Sequence, residues 1–337
     1  MLQTRNWNID LAKALAMLLV VMQHAWSMLG LDDPSYGLVC GVYRAVSTVG
    51  VPLFVFVSGA LLLPRNPEPL KVFYKKRLNR LLVPFLLFAS LMYVVSLFAG
   101  QYDWWSGDVK TALLQFLPSL LENKINILHW FVHMLLVIYL LTPFLQRALS
   151  SLAQREIEGI LLVWMVGMLL RQYYPALSVL SYTSGLWKYL GVYIAGYYVI
   201  QYRAGKKRYC YFGLVLTVLL FLLDALTDCA IHLGVPLTAV MMGLVCLNLP
   251  ASFPSPSQSR MGCIITNFSR YSYTIYLLHI LVIRAIYLVA ESYFTDMLIG
   301  CIPLIITPLI MIVFYLACTL YDKTKWLPNN LIGIGYI

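Results

Sequence analysis

Residues Lys13 to His24 read KALAMLLVVMQH. A cation and an imidazole bracket ten apolar or nearly apolar residues. The apolar residues run continuously rather than alternating, which selects a helix over a half-buried strand. Extended to both sides the run covers residues 8–29, and about 20 apolar residues is the length a helix needs to cross the hydrocarbon core. The spacing of Lys13 and His24 is three helical turns plus about 20°, so they share a face, about 16 Å apart along the axis. Asp10, one turn before Lys13, lies on a nearby face and is placed to pair with the ammonium. Taken singly, Lys13 reads as a side chain snorkelling to the headgroups, and His24 as a hydrogen-bonded packing residue. Their common face argues for one site, because ionisable residues inside a span are costly and mark functional positions.

The whole chain has the character of that stretch. Of 337 residues, 61% are hydrophobic and 11% charged, against about 25% charged in a soluble domain. Backbone groups in lipid have no water partners, so continuous apolar runs must span as helices. The expected architecture is all-α, a polytopic bundle of about ten transmembrane helices near residues 8–29, 43–63, 80–99, 126–145, 157–171, 185–202, 209–226, 233–249, 271–290 and 297–320. The first run shows no small-residue cleavage site and is expected to stay as a span. Residues 100–125 and the Pro/Ser-rich PASFPSPSQS segment, Pro250 to Ser259, read as connections. The expectation is a single integral membrane domain over residues 1–337, with no appended extracytoplasmic domain. Seven scattered cysteines read as small packing residues.

Charge sets the direction. With the N-terminus in the cytoplasm, ten alternating spans put 17 basic residues on the cytoplasmic side, among them Lys71, Lys75, Lys76, Arg77 and Arg80. The opposite side holds 5: Arg44, Lys110, Lys124, Arg171 and Lys188. The positive-inside rule therefore favours cytoplasmic N- and C-termini. The net charge of +10 then reports membrane topology and no nucleic-acid partner.

Three further stretches carry polar groups. KKRLNRLLVPF, Lys75 to Phe85, places Arg77 and Arg80 on one helix face beside Lys76. Such a cluster suits phosphate oxygens or anchors the span on anionic membrane lipid. LHWFVHMLLVIYLLTPF, from Leu128, places His129 and His133 one turn apart. No third ligand follows at useful spacing, so no metal is expected. Trp130 serves either as an interfacial aromatic or as a wall for a sugar ring. YSYTIYLLHILVIR, Tyr271 to Arg284, puts His279 near mid-membrane with Arg284 beyond it.

In this order the stretches resemble the acyltransferase-3 family of integral membrane O-acyltransferases. Asp10, Lys13 and His24 match its Arg-x10-His pattern with a preceding Asp, lysine replacing arginine. GVPLFVFVSGALLL, Gly50 to Leu63, matches its VPLFFVLSG-like segment. Arg77, Arg80 and Pro84 match its Arg-x-x-Arg; Trp130 to Pro143 matches its WFL-to-YLLTP segment, and Tyr276 to His279 its YLLH. The resemblance implies transfer of an acyl group, most often acetyl, from cytoplasmic acetyl-CoA or another acyl-CoA to a hydroxyl of a surface glycan or lipid-linked sugar. It also implies a bacterial inner-membrane setting. Under it Arg77, Arg80 and Lys76 bind the donor. His24 acts as general base or carries the acyl group, with Asp10 and Lys13 orienting the helix end or the donor. His129, Trp130 and His279 line the acceptor pocket. Lys13 and His24 become two ends of a donor-to-acceptor path. A rival class is a transporter or flippase for a lipid-linked sugar or other anionic substrate. Acidic residues are scarce mid-span, which disfavours a proton-coupled carrier. A non-catalytic membrane scaffold would not need Lys13 and His24 aligned.

Overall fold

A computed structural model describes residues 6–28, 37–105, 107–173, 184–226, 234–249, 259–290, 301–325, 328–329 and 331. The described residues are helical and contain no strand. In chain order the helices are α1 (Trp7–Ser27), α2 (Leu38–Ser47), α3 (Gly50–Leu62), α4 (Leu70–Phe98), α5 (Val109–Leu121), α6 (Trp130–Ser151), α7 (Gln154–Tyr173), α8 (Ser184–Tyr198), α9 (Lys207–Leu226), α10 (Gly234–Leu247), α11 (Arg260–Ala290) and α12 (Ile302–Thr324). A 3-10 turn, Ile127–His129, leads into α6, and a π turn, Val199–Arg203, follows α8.

Seven candidate spans are long and apolar enough to cross a membrane: α1, the α2–α3 pair, α4, α6, α9, α11 and α12. The other three expected spans are helical too. α8 and α10 have only 15 and 14 residues, and α7 carries charges at Arg155, Glu156, Glu158 and Arg171. The expected single span 43–63 is two helices. Pro52 has no N–H to give the Thr48 carbonyl, which permits a break, and α2 ends at Ser47 and α3 starts afresh. Residues 100–125, read as a connection, contain α5. At 13 residues it is about 20 Å long, too short to cross, and a search for spans passes over it. α4 and α11 begin about ten residues before the expected spans, because a helix can continue past the apolar stretch into its charged flank. The Pro/Ser-rich segment lies outside the described residues except for Ser259.

The chain divides into two compact units. One comprises Met1–Pro67 with Phe144–Lys325. At its centre α1 packs most extensively on α11, and also on α2, α3, α10 and α12. α3 and α8 cross backbone to backbone. A Cβ on Gly59 would run into the Tyr193 carbonyl, and one on Gly196 into the Phe56 carbonyl. Small residues at such crossings let helices gain van der Waals contact where lipid supplies no hydrophobic drive. Polar side chains tie the helix ends. Gln146 Nε2 donates to the Leu62 carbonyl (2.7 Å), and Asn8 Nδ2 to the Leu249 carbonyl (3.3 Å). Arg203 and the Tyr198 hydroxyl both donate to Glu158 Oε1 (3.0 and 2.6 Å). Arg270 and the Tyr271 hydroxyl both donate to Asp322 Oδ1 (3.1 and 2.6 Å). At other ends Trp26 Nε1 donates to Ser47 Oγ (2.8 Å) and Arg44 to the Asp224 carbonyl (3.3 Å).

The other unit is built on Glu68–Pro143, with α4, α5 and the first half of α6. Tyr93 wedges α5 onto α4: its hydroxyl donates to the Ala112 carbonyl (2.9 Å) and its ring meets Phe116 at 5.3 Å. Tyr74 donates to the Leu140 carbonyl (2.9 Å), joining α4 to α6.

Candidate active site

α1 begins at an Asn6 cap, whose side chain accepts the Asn8 N–H at 3.0 Å. From there the helix carries Asp10 and Lys13 into the interior, where they are 5% and 8% exposed. Such burial rules out snorkelling for Lys13, since a snorkelling lysine keeps its ammonium in water. Asp10 Oδ1 accepts the Ser269 hydroxyl of α11 at 2.5 Å. The bond ties the start of α1 to the helix that carries His279. Ionisable side chains this deep in a bundle persist only with polar company, and Asp10 and Lys13 are one turn apart on the same helix.

Three turns further, His24 of α1 meets His279 of α11, with ring centres 5.1 Å apart and planes tilted by 41°. His24 keeps partial exposure, while His279 is fully buried. The His279 Nδ1 lies 2.6 Å from the Tyr276 carbonyl. A carbonyl only accepts, so Nδ1 carries the proton and Nε2 holds the lone pair. That Nε2 has no hydrogen-bond partner among the described residues. The Tyr276 ring lies 5.7 Å from His279 and stacks on Tyr273 at 6.5 Å. This half-open imidazole backed by a buried one is suited to taking and returning a proton.

The other expected site residues belong to the second unit. Arg77 and Arg80 share a face of α4 and are partly buried, with Arg77 5.9 Å from the Phe73 ring. Lys76 turns outward and pairs with Glu68 at 3.0 Å. His129 is buried and His133 half-buried. Both rings stand nearly perpendicular to the Phe85 ring, with centres 4.9 and 5.8 Å from it. Trp130 is 36% exposed and touches Phe131 at 6.2 Å, so adjacent His129 and Trp130 face different surroundings. Within the first unit Asp10, His24 and His279 thus meet at the α1–α11 interface, with Lys13 buried on α1, whereas Arg77, Arg80, Lys76, His129 and Trp130 lie in the second.

Sequence reasoning did not single out Ser269 or Asp322. Ser269 lies 259 positions from its partner Asp10, and a serine carries no cost inside a helix that would flag it. Asp322, an acid at the end of an apolar helix, was a legible signal, and it gathers Arg270 and Tyr271.

An acyltransferase-domain family model matches residues 6–322, nearly the full described length. The chain belongs to the acyltransferase-3 family. Comparison with curated proteins and with solved structures found no match. The chain is therefore a membrane acyltransferase in its general class, and both units fall largely within the matched region.

Proposed function

We propose that this acyltransferase takes an acyl group, most often acetyl, from cytoplasmic acyl-CoA and passes it to a hydroxyl of a lipid-linked or surface glycan in a bacterial cytoplasmic membrane. The observation that carries the reading is His24, a partly open imidazole on the helix that also buries Asp10 and Lys13. His24 takes the proton of the attacking hydroxyl as the acyl carbon–oxygen bond forms. The carbon–sulfur bond of the thioester breaks, and the proton returns to the thiolate as free CoA. Arg77 and Arg80 offer two guanidinium groups to the phosphates of the donor. Lys76, engaged by Glu68 at the surface, contributes general positive charge. Asp10 and Lys13 hold the start of α1 on α11. His129 and Trp130 take part in recognising the acceptor, through a buried imidazole and an exposed ring.

The proposed topology is ten alternating spans with both termini in the cytoplasm. Side-chain bonds of the first unit support it. Gln146 with Leu62, Asn8 with Leu249, Glu158 with Arg203, Asp10 with Ser269 and Arg270 with Asp322 each join residues that this alternation puts at the cytoplasmic end. Trp26 with Ser47 and Arg44 with Asp224 join residues it puts at the outer end. A miscounted span would set several of these pairs at opposite faces.

The test is mass spectrometry of surface glycans from cells with the wild-type chain, with His24→Ala, or with no gene. Wild type is expected to add the mass of an acyl group in place of a hydroxyl hydrogen, and His24→Ala at equal protein level to lose it. Identical glycans in all three would sink the acyl-transfer reading and turn attention to substrate movement.

A further inference from the structure

We infer that His279 is the positioning residue for His24, accepting a ring N–H of His24 on its bare Nε2. The inference rests on the acyl-transfer reading for its consequence, though its geometry stands alone. His279 is completely buried, its Nδ1–H is spent on the Tyr276 carbonyl, and its Nε2 has no partner among the described residues. A bare buried acceptor can take a donor without giving up another bond. The ring beside it is His24, 5.1 Å away between centres. Two imidazoles whose nitrogens face one another at an ordinary N–H···N length of about 2.9 Å have centres about 5 Å apart. The ring spacing is that of such a pair, the bond itself is not made in the structure, and rotation of the His24 ring is what would turn one of its nitrogens onto Nε2. Catalytic hydrogen bonds often tighten in this way when substrate binds.

The arrangement also says which histidine meets the substrate. His279 has no exposed surface and His24 has some, so a ligand reaches His24 first and His279 stands behind it. With one nitrogen of His24 donating to His279, the other is obliged to be the lone-pair nitrogen that faces the acceptor hydroxyl. As His24 takes the hydroxyl proton it becomes imidazolium, and its second N–H remains held by His279 until the proton leaves for the thiolate. The Tyr276 carbonyl, Nδ1–H of His279, Nε2 of His279 and the His24 ring form a chain in which each member fixes the tautomer of the next. A carboxylate commonly fills the orienting place in such chains. A neutral histidine does so here without adding a buried charge to the interior.

The experiment uses the full-length protein in purified membranes with radiolabelled acetyl-CoA as donor and the membranes' own glycan as acceptor. His279→Phe keeps the ring's bulk and removes the acceptor; it is expected to lower kcat about a hundredfold with the KM for acetyl-CoA unchanged. His279→Gln restores an acceptor oxygen and is expected to recover about tenfold of that loss. In a His24→Ala background His279→Phe is expected to cost nothing more, since the two act as a unit. Unchanged kcat in His279→Phe, equal losses in the Phe and Gln variants, or a loss expressed in KM would overturn the assignment. Nitrogen NMR of ring-labelled histidine provides a readout independent of turnover and of the variants' folding. Coupling across an N–H···N bond between the His24 and His279 rings in folded wild type saturated with CoA and the membrane glycan supports the pairing, and its absence under those conditions overturns it. A wild-type protein that shows the coupling but transfers no acetyl group would keep the pairing while removing the acyltransferase reading.

Discussion

α1 and α9 are both long enough to cross a membrane, yet 67% of the α1 span is buried inside the protein and only 17% of the α9 span. α1 is the less apolar of the two and the more central. It carries Asp10, Lys13 and His24 and is enclosed by five helices. α9 turns Leu214, Val215, Leu219 and Leu222 outward and buries only Gly213, Thr217 and Asp224. In a soluble protein the greasier helix would be the core. In lipid a leucine is as well solvated outside as inside, so small and polar residues decide which surfaces face each other. The buried stripe of α9 obeys the same rule as α1.

That contrast can be broken most forcefully at α1. Asp10→Leu removes the partner of Ser269 and leaves Lys13 buried without its neighbouring carboxylate. The expected cost is about 3–5 kcal/mol, seen as a large drop in the detergent-solubilised melting temperature or in folded yield. A variant as stable as wild type would mean that polarity does not hold α1 in the centre. On α9 the expected effects are small. Thr217→Val keeps shape and removes a buried hydroxyl that has no hydrogen-bond partner among the described residues. It should be neutral or slightly stabilising by the same melting measurement. Leu219→Ala, on the exposed face, should stay within about 0.5 kcal/mol of wild type. A large loss there would place a partner helix or subunit on that face.

The smallest effect is expected outside both helices. Asp108 caps α5, accepting the N–H groups of Lys110 and Thr111 and the Thr111 hydroxyl. The Thr111 hydroxyl first, and then the two backbone N–H groups, hold its carboxyl below the usual carboxylate range. A carboxyl lowered in the folded state contributes stability above its unfolded pKa and loses it as pH falls through the folded value. Protection of the α5 amides, taken as the exchange rate relative to the intrinsic rate at each pH, should therefore fall on acidification below the usual carboxylate range. In Asp108→Ala that protection should be low already at neutral pH, with the other helices unchanged.

Much of this was legible in order along the chain. An apolar run as long as residues 8–29 reads as a membrane helix, and once it is a helix the spacing of Lys13 and His24 puts them on one face whatever surrounds them. Family membership could likewise be read from stretches spread between Asp10 and Arg284. The break before Pro52 was not legible in this way, because Pro84, Pro118, Pro143 and Pro308 sit inside unbroken helices; a missing N–H permits a break, and packing decides whether one forms. α5 was hidden because it is helical but too short for the length rule.

What the sequence determined by itself is thus local: which segments are helical, how long and apolar they are, which side chains share a face, and, through the basic residues, a preferred orientation. The tertiary structure decided the rest. It set α1 in the centre and α9 at the edge, spent Lys76 on Glu68, tied Asp10 to Ser269, and brought His279 from the far end of the chain against His24. The physical reason is that helix formation in lipid depends on each segment's own backbone bonds. Which polar groups meet depends on close packing among all the helices at once, and no stretch of sequence contains that information alone.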